Sequence, residues 1–214
     1  MKVQILIDNK NSWIVDYMDT LIKKIVNLGH STSLIYHSDF VEKGDVLFLL
    51  SCENIFKNLE LNKHNIVIHE SRLPEGKGFS PMTWQIIEGN NKIPISLFEA
   101  NSSIDSGKIY FQETINFDGS ELIDQIRKKQ GNKTIELVLK FIKNINNLKT
   151  LSNVGKESFF RKRDPSDSLL DINKTINEQF NLLRVVDNNR YPAYFKKGNT
   201  EYIIKIFKKK EDGT

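Results

Sequence analysis

The first 112 residues alternate short apolar blocks with stretches whose apolar residues recur at helical spacing. Residues 3–7 (Val-Gln-Ile-Leu-Ile) form a β-rich run that ends in a turn at Asp8-Asn9. Trp13, Ile14, Tyr17, Leu21, Ile25 and Leu28 then mark one face of a helix, which Gly29 terminates. The blocks Ser33–Tyr36, Val46–Leu50 and Ile66–Ile68, each flanked by polar residues, read as buried strands of a largely parallel sheet covered on both faces. Ser80-Pro81 predicts a helix start, with the Ser hydroxyl as cap, and the helix runs to Glu88 before Gly89. Ile95–Glu99 and Lys108–Gln112 are two further strands around a polar loop with Asp105-Ser106-Gly107. A long helix follows from Ser120 to Asn147, with a kink expected at Gly131-Asn132. After residue 150 the pattern weakens: 151–173 is polar, 174–186 reads as a helix, and 193–207 reads as a hairpin about Gly198-Asn199. The pattern therefore predicts an α/β domain over 1–150 and a small docked extension, helix plus β-hairpin, over 151–214.

Composition narrows the function classes. A chain of 214 residues with 39% apolar and 27% charged content suits one globular domain with an appendage. The single cysteine, Cys52, excludes an intramolecular disulfide framework and a cysteine-rich zinc site, which points to a reducing, cytoplasmic setting. MKVQILID lacks a basic leader and reads as a first strand, and no apolar run is long enough to span a membrane. The net charge of +4 is unevenly placed. Residues 1–150 hold 18 Lys+Arg and 18 Asp+Glu, whereas 151–214 hold 13 and 9. The basic extension, which ends in the run 208–210, is either a surface for an anionic partner or a solvated tail.

The candidate chemistry lies between residues 64 and 107. His64 and His69 do not match metal-ligand spacings, so no metal is expected. His69 falls at the C-terminal end of a buried strand, the edge where open α/β sheets place ligands. Gly76-Lys77-Gly78 leads into a helix N-terminus, and is either an anion site or an ordinary loop; the full P-loop spacing is absent.

Taken together, His69-Glu70-Ser71-Arg72-Leu73-Pro74, Gly76-Lys77-Gly78, Pro81-x-x-Trp84 and Asp105-Ser106-Gly107 resemble the formyltransferases that use N10-formyltetrahydrofolate. The likeness covers about residues 60–112. It extends less specifically into the tail, where Phe160-Arg161-Lys162-Arg163-x-Pro165-x-Asp167, Leu183-Arg184 and Tyr191-Pro192-Ala193-Tyr194 look like nucleotide-sugar N-formyltransferases. The resemblance implies a Rossmann-like, mostly parallel sheet with helices on both faces. It also implies transfer of a formyl group to the amine of a UDP- or dTDP-linked amino-deoxysugar, with N10-formyltetrahydrofolate as cosubstrate and no metal, nucleic acid or membrane; a homodimer is compatible with it.

Carried over position by position, the resemblance makes His69 and Asp105 the catalytic pair. The family's Asn two positions before the His is Val67 here, and valine cannot donate a hydrogen bond to a developing oxyanion. Asn65 and Asn101 are substitutes to consider. Glu70 and Lys108 also depart from the family pattern, which has Pro and Asp there. The folate would lie against Ser51, Cys52 and the backbone of the loop Ser102–Asp105, including Ile104. Lys77 and Gly78, at the following helix N-terminus, would meet the diphosphate. Trp84 is either a sugar-side wall or core. Arg184, Tyr191 and Tyr194 are candidates for nucleotide contact or subunit packing. A tRNA-type formyltransferase is expected to carry a longer C-terminal barrel. The alternatives are a glycinamide-ribotide-type enzyme and a non-catalytic folate- or sugar-nucleotide-binding module.

Overall fold

The computed structural model describes residues 1–152 and 154–209. Along the chain lie β1 (Lys2–Leu6), a 3-10 turn (Trp13–Tyr17), α1 (Met18–Asn27), β2 (Ser31–Ile35), β3 (Gly44–Leu49), β4 (Asn62–His69), β5 (Lys77–Gly78), α2 (Pro81–Ile87), β6 (Lys92–Glu99) and β7 (Ile109–Asn116). After these come α3 (Ile123–Asn144), β8 (Phe159–Phe160), α4 (Phe180–Val185), β9 (Ala193–Lys197) and β10 (Thr200–Ile204). Among the described residues no helix is long and apolar enough to cross a membrane. Lys210, the last residue of the basic run, lies outside the described residues.

Six strands pair in the order β2-β1-β3-β4-β6-β7. The three pairings from β2 to β4 are parallel, and the two that add β6 and β7 are antiparallel. Alternation along the strands decides which side chains meet which layer. Val3, Ile5, Val46, Phe48, Ile66, Ile93, Ile95 and Leu97 face Leu21 and Ile25 of α1, Met82 and Ile86 of α2, and Ile135, Val138 and Phe141 of α3. Each fully buried side chain of this size is worth about 1.5–3 kcal/mol relative to exposure. Leu6, Leu47 and Leu49 point the other way, under Val41, Phe56 and the short 3-10 helix Leu59–Leu61, so brief 3-10 segments and loops cover that face.

Local chemistry moved several boundaries. Ser80 takes a left-handed backbone (φ +50°) and makes no side-chain cap; its carbonyl accepts from the Thr83 and Trp84 N–H groups. Ser120 does not cap α3 either: its N–H is bonded to Asp118, and the helix opens three residues later with Gln125 accepting from the Leu122 N–H. α3 runs unbroken through Gly131, where a Cβ would lie 2.6 Å from the Tyr17 ring; the glycine serves that close approach. The helix expected over 174–186 begins only at Phe180. Glu178 holds both Thr175 donors, and Gln179 bonds the backbone around Asp171, which keeps 171–179 in turns.

The extension is docked by backbone pairing. β8 lies parallel to β5, with Lys77 opposite Phe159 and Gly78 opposite Phe160. Gly78 sits at φ +95° and a Cβ there would fall 2.4 Å from the Phe160 carbonyl oxygen, so only glycine allows this seam. Trp84 Nε1 donates to the Arg161 carbonyl at 3.0 Å, and the Arg161 guanidinium stacks 4.8 Å from the indole centre.

Candidate active site

His69 is the last residue of β4, so it lies at the carboxyl end of a parallel strand, next to the point where the order reverses about β1 and β3. Its buried ring places Nε2 2.8 Å from the Gly76 carbonyl and 3.7 Å from Asp105 Oδ2. A carbonyl only accepts, so in the neutral ring Nε2 carries the proton and Nδ1 is the basic nitrogen. Asp105 reaches this ring from the β6–β7 loop through a left-handed backbone, φ +47°, which Asp tolerates better than most residues. The loop is pinned at both sides. Asn101 Oδ1 accepts from the Ser103 N–H and the Ser106 hydroxyl, and Gly107 packs so closely on β6 that a Cβ would lie 1.6 Å from the Glu99 carbonyl oxygen. The Asp105 carboxylate also accepts from the Gly78 N–H at 2.9 Å. The glycine loop, the acidic loop and β8 therefore meet at one point.

Around this pair opens a cleft of about 490 Å³. One wall is the loop after β3, tied down by Asp8, which accepts from the Glu53 and Asn54 N–H groups. Ser51, Cys52, Ile104, Asn101, Gly78 and Tyr191 line the cleft with His69 and Asp105, while Ser102 is exposed on the loop beside them. Val67, at the family's Asn position, also lines it and offers no donor. The Cys52 thiol donates to the Leu6 carbonyl, and burial pushes its pKa up to about 12. Its thiolate fraction should be about a thousand-fold below that of an ordinary cysteine near pH 8. Alkylation by iodoacetamide, followed by mass spectrometry, should accordingly be far slower in native than in urea-unfolded protein.

Of the residues considered for the substrate, Lys77 is engaged elsewhere, and Trp84, Arg184 and Tyr194, for which packing was the alternative, are not among those lining the cleft. Lys77 is buried with its ammonium on Glu157 at 2.6 Å and over the Phe159 ring, so it holds the extension and does not face the cleft. Trp84 is the stacking platform for Arg161 and Arg163. Arg184, 1% exposed, donates to Asn91 Oδ1 at 2.9 Å and lies 3.7 Å from Glu121; burying a guanidinium this way makes it structural. Tyr194 belongs to β9, and its carbonyl accepts from the Leu170 N–H. Asn65 donates its amide to the Leu59 carbonyl and cannot replace the missing Asn donor. Asn101 does line the cleft, with its amide NH2 free of protein partners among the described residues.

Sequence reasoning missed residues on the other walls. Glu70 turns toward α3, where its Oε1 accepts from Gln130 Nε2 at 2.7 Å. Arg127 pairs with Asp187 at 2.8 Å, and Arg163 and Arg190 come from the extension. Arg163 is half-buried, and its shielded Nε has no partner among the described residues. The charge surplus of 151–214 was the available signal for these arginines, and the acidic residue after His69 was the signal for Glu70.

No family model matches the chain. It is 31% identical over 157 residues to the bifunctional polymyxin resistance protein ArnA of Wigglesworthia glossinidia brevipalpis, a match that covers 67% of this chain and 23% of that protein. It spans between 30% and 58% of the methionyl-tRNA formyltransferases it also matches. In fold it is similar to a methionyl-tRNA formyltransferase from Clostridium thermocellum, with a TM-score of 0.82, 18% identity, and coverage of 100% of this chain and 95% of that one. It is likewise similar to a sugar N-formyltransferase from a Shewanella species, with a TM-score of 0.69, 17% identity, and coverage of 96% and 97%.

Proposed function

We propose that this chain, which belongs to the formyltransferase family, transfers a formyl group from N10-formyltetrahydrofolate to the amine of a nucleotide-linked amino-deoxysugar. The observation that carries the reading is the His69–Asp105 pair at the strand ends, faced across one cleft by arginines of the extension. The neutral amine attacks the formyl carbon, negative charge collects on the formyl oxygen, and the tetrahedral intermediate releases tetrahydrofolate. With the His69 Nε2–H held on the Gly76 carbonyl, Nδ1 is the nitrogen left for this: it can take the amine proton for delivery to N10, and once protonated it can donate to the formyl oxygen. Asp105 orients the ring across the 3.7 Å contact. The Asn101 amide is an available substitute for the donor absent at Val67. The single thiol Cys52 suits a cytoplasmic setting.

The diphosphate, assigned to Lys77 from sequence, falls instead to Arg163 and Arg190, with Lys162 beside them on Glu53. A hydrogen bond to a charged group contributes about 1.5–3 kcal/mol, which corresponds to roughly ten- to a hundred-fold in affinity. Arg163→Ala and Arg190→Ala are each expected to raise KM for the sugar nucleotide by that factor with little change in kcat, as steady-state kinetics would measure.

The test of the reading is incubation with N10-formyltetrahydrofolate and a panel of UDP- and dTDP-linked 3- and 4-amino sugars, with methionyl-tRNA and glycinamide ribotide as further arms. A mass gain of one formyl group on a sugar supports it. Turnover on methionyl-tRNA or glycinamide ribotide alone overturns the acceptor assignment, and no turnover on any amine overturns the reaction.

A further inference from the structure

We infer that Glu70 is a catalytic residue of this cleft, whose carboxylate takes the first proton from the entering acceptor ammonium and so delivers a neutral amine to the formyl carbon. The inference rests on the formyl-transfer reading above and assigns a group that reading leaves unused.

The chemistry creates the need. A primary amine near neutral pH is largely protonated and an ammonium has no lone pair, so a base must act before attack. The net change removes two protons from the ammonium. One leaves as the N–H bond breaks and an O–H bond forms on Glu70, which returns it to solvent. The second passes through His69 to N10 of the departing tetrahydrofolate. No oxidant or further reactant enters.

The geometry singles out Glu70. Its main chain is fixed by Gln85, whose side chain donates to the Glu70 carbonyl at 2.7 Å, and its Oε1 is held by Gln130. Oε2 has no partner among the described residues, and the residue lines the cleft together with the catalytic pair and with Trp13, Ile14 and Thr134. The other cleft carboxylates are engaged: Asp105 by the Gly78 N–H, Glu53 by Lys162, Asp164 by Arg161 and Asp187 by Arg127. The ionisable groups around Glu70 are His69 on β4, Asp105 on the β6–β7 loop, and Arg127 one turn before Gln130 on α3, while α2 contributes the neutral Gln85. Burial raises the Glu70 pKa and Asp105 adds to the rise; the Gln130 hydrogen bond and a charged His69 oppose it. A carboxylate raised in this way is a stronger base toward an amine.

Formyl transfer to the best acceptor of the sugar panel, followed from about pH 6 to about pH 9.5, tests the role. Glu70→Gln preserves shape and can still accept from Gln130. It should lower kcat/KM by about a hundred-fold at the acidic end. The deficit should close toward wild type as the pH passes the pKa of the acceptor amine, where solvent already supplies the neutral form. Gln130→Leu removes the bond that lowers the Glu70 pKa and should move the acidic limb to higher pH with its alkaline plateau retained; it also serves if the first variant folds poorly. A Glu70→Gln deficit equal at every pH, or no deficit, overturns the role while the reaction stands. A wild-type protein inactive on every amine overturns the formyl-transfer reading and the role with it.

Discussion

Replacing His69 with alanine is expected to lower kcat by about 100- to 10,000-fold, the range for loss of a positioned acid or base. Asp105→Ala should fall in the same range, and the double variant should be little worse than either single one, because the two groups act as a unit through a 3.7 Å contact. Single-turnover formyl transfer with saturating donor measures this directly. His69→Ala also strips the Gly76 carbonyl of its 2.8 Å donor, so a stability loss of about 1–3 kcal/mol should accompany it. Asp105→Asn keeps an acceptor for the Gly78 N–H and loses only the charge. Wild-type turnover in that variant would show that the charge of Asp105 is not used.

The second large effect is steric. Gly107→Ala would drive a methyl group to within 1.6 Å of the Glu99 carbonyl oxygen, a backbone atom at the end of β6 that cannot rotate away. The loop cannot retreat freely, because the Glu99 N–H is bonded to the Lys108 carbonyl at 2.9 Å and Asn101 ties Ser103 to Ser106. Overpacking typically costs about 1–3 kcal/mol, and this site should reach or exceed the upper end. Activity should fall with stability, since the same loop carries Asp105. Gly198→Ala is the matched control. It sits at φ +60° with nothing within 4 Å of the added carbon, so only the left-handed backbone is penalised, at about 1–2 kcal/mol. Urea denaturation of the two variants side by side should give clearly different midpoints; equal losses would mean that the loop is not clamped on β6.

What could be read before the structure was whatever short-range pattern encodes. Blocks such as Val46–Leu50 and Ile66–Ile68 announce buried strands because every second or every residue must be apolar, and β3 and β4 lie there. His69 and Asp105 were legible because their neighbours repeat a known spacing. Lys77 was not, because its partner Glu157 lies 80 residues away and the β5–β8 pairing is two residues long, too short to show a period. Trp84 and Arg184 stayed undecided between ligand and packing for the same reason: Arg161 and Asn91, which decide their roles, are 77 and 93 positions distant. In each case a residue type suited to ligand binding was taken up by the docking of the extension.

That docking divides labour in a way that bears on how such chains diversify. The extension supplies Arg163, Arg190 and Tyr191 to the cleft and none of the formyl-transfer pair, and its entry at β8 is seated on the backbone of Lys77 and Phe79, with side-chain contacts at Lys77, Trp84 and Arg184 holding the rest. Backbone seats are indifferent to side-chain identity. Drift downstream of residue 150 can therefore rewrite acceptor preference while the machinery on β4 and the β6–β7 loop is inherited intact, provided that Gly78 stays glycine and the partners of Lys77, Trp84 and Asn91 are kept.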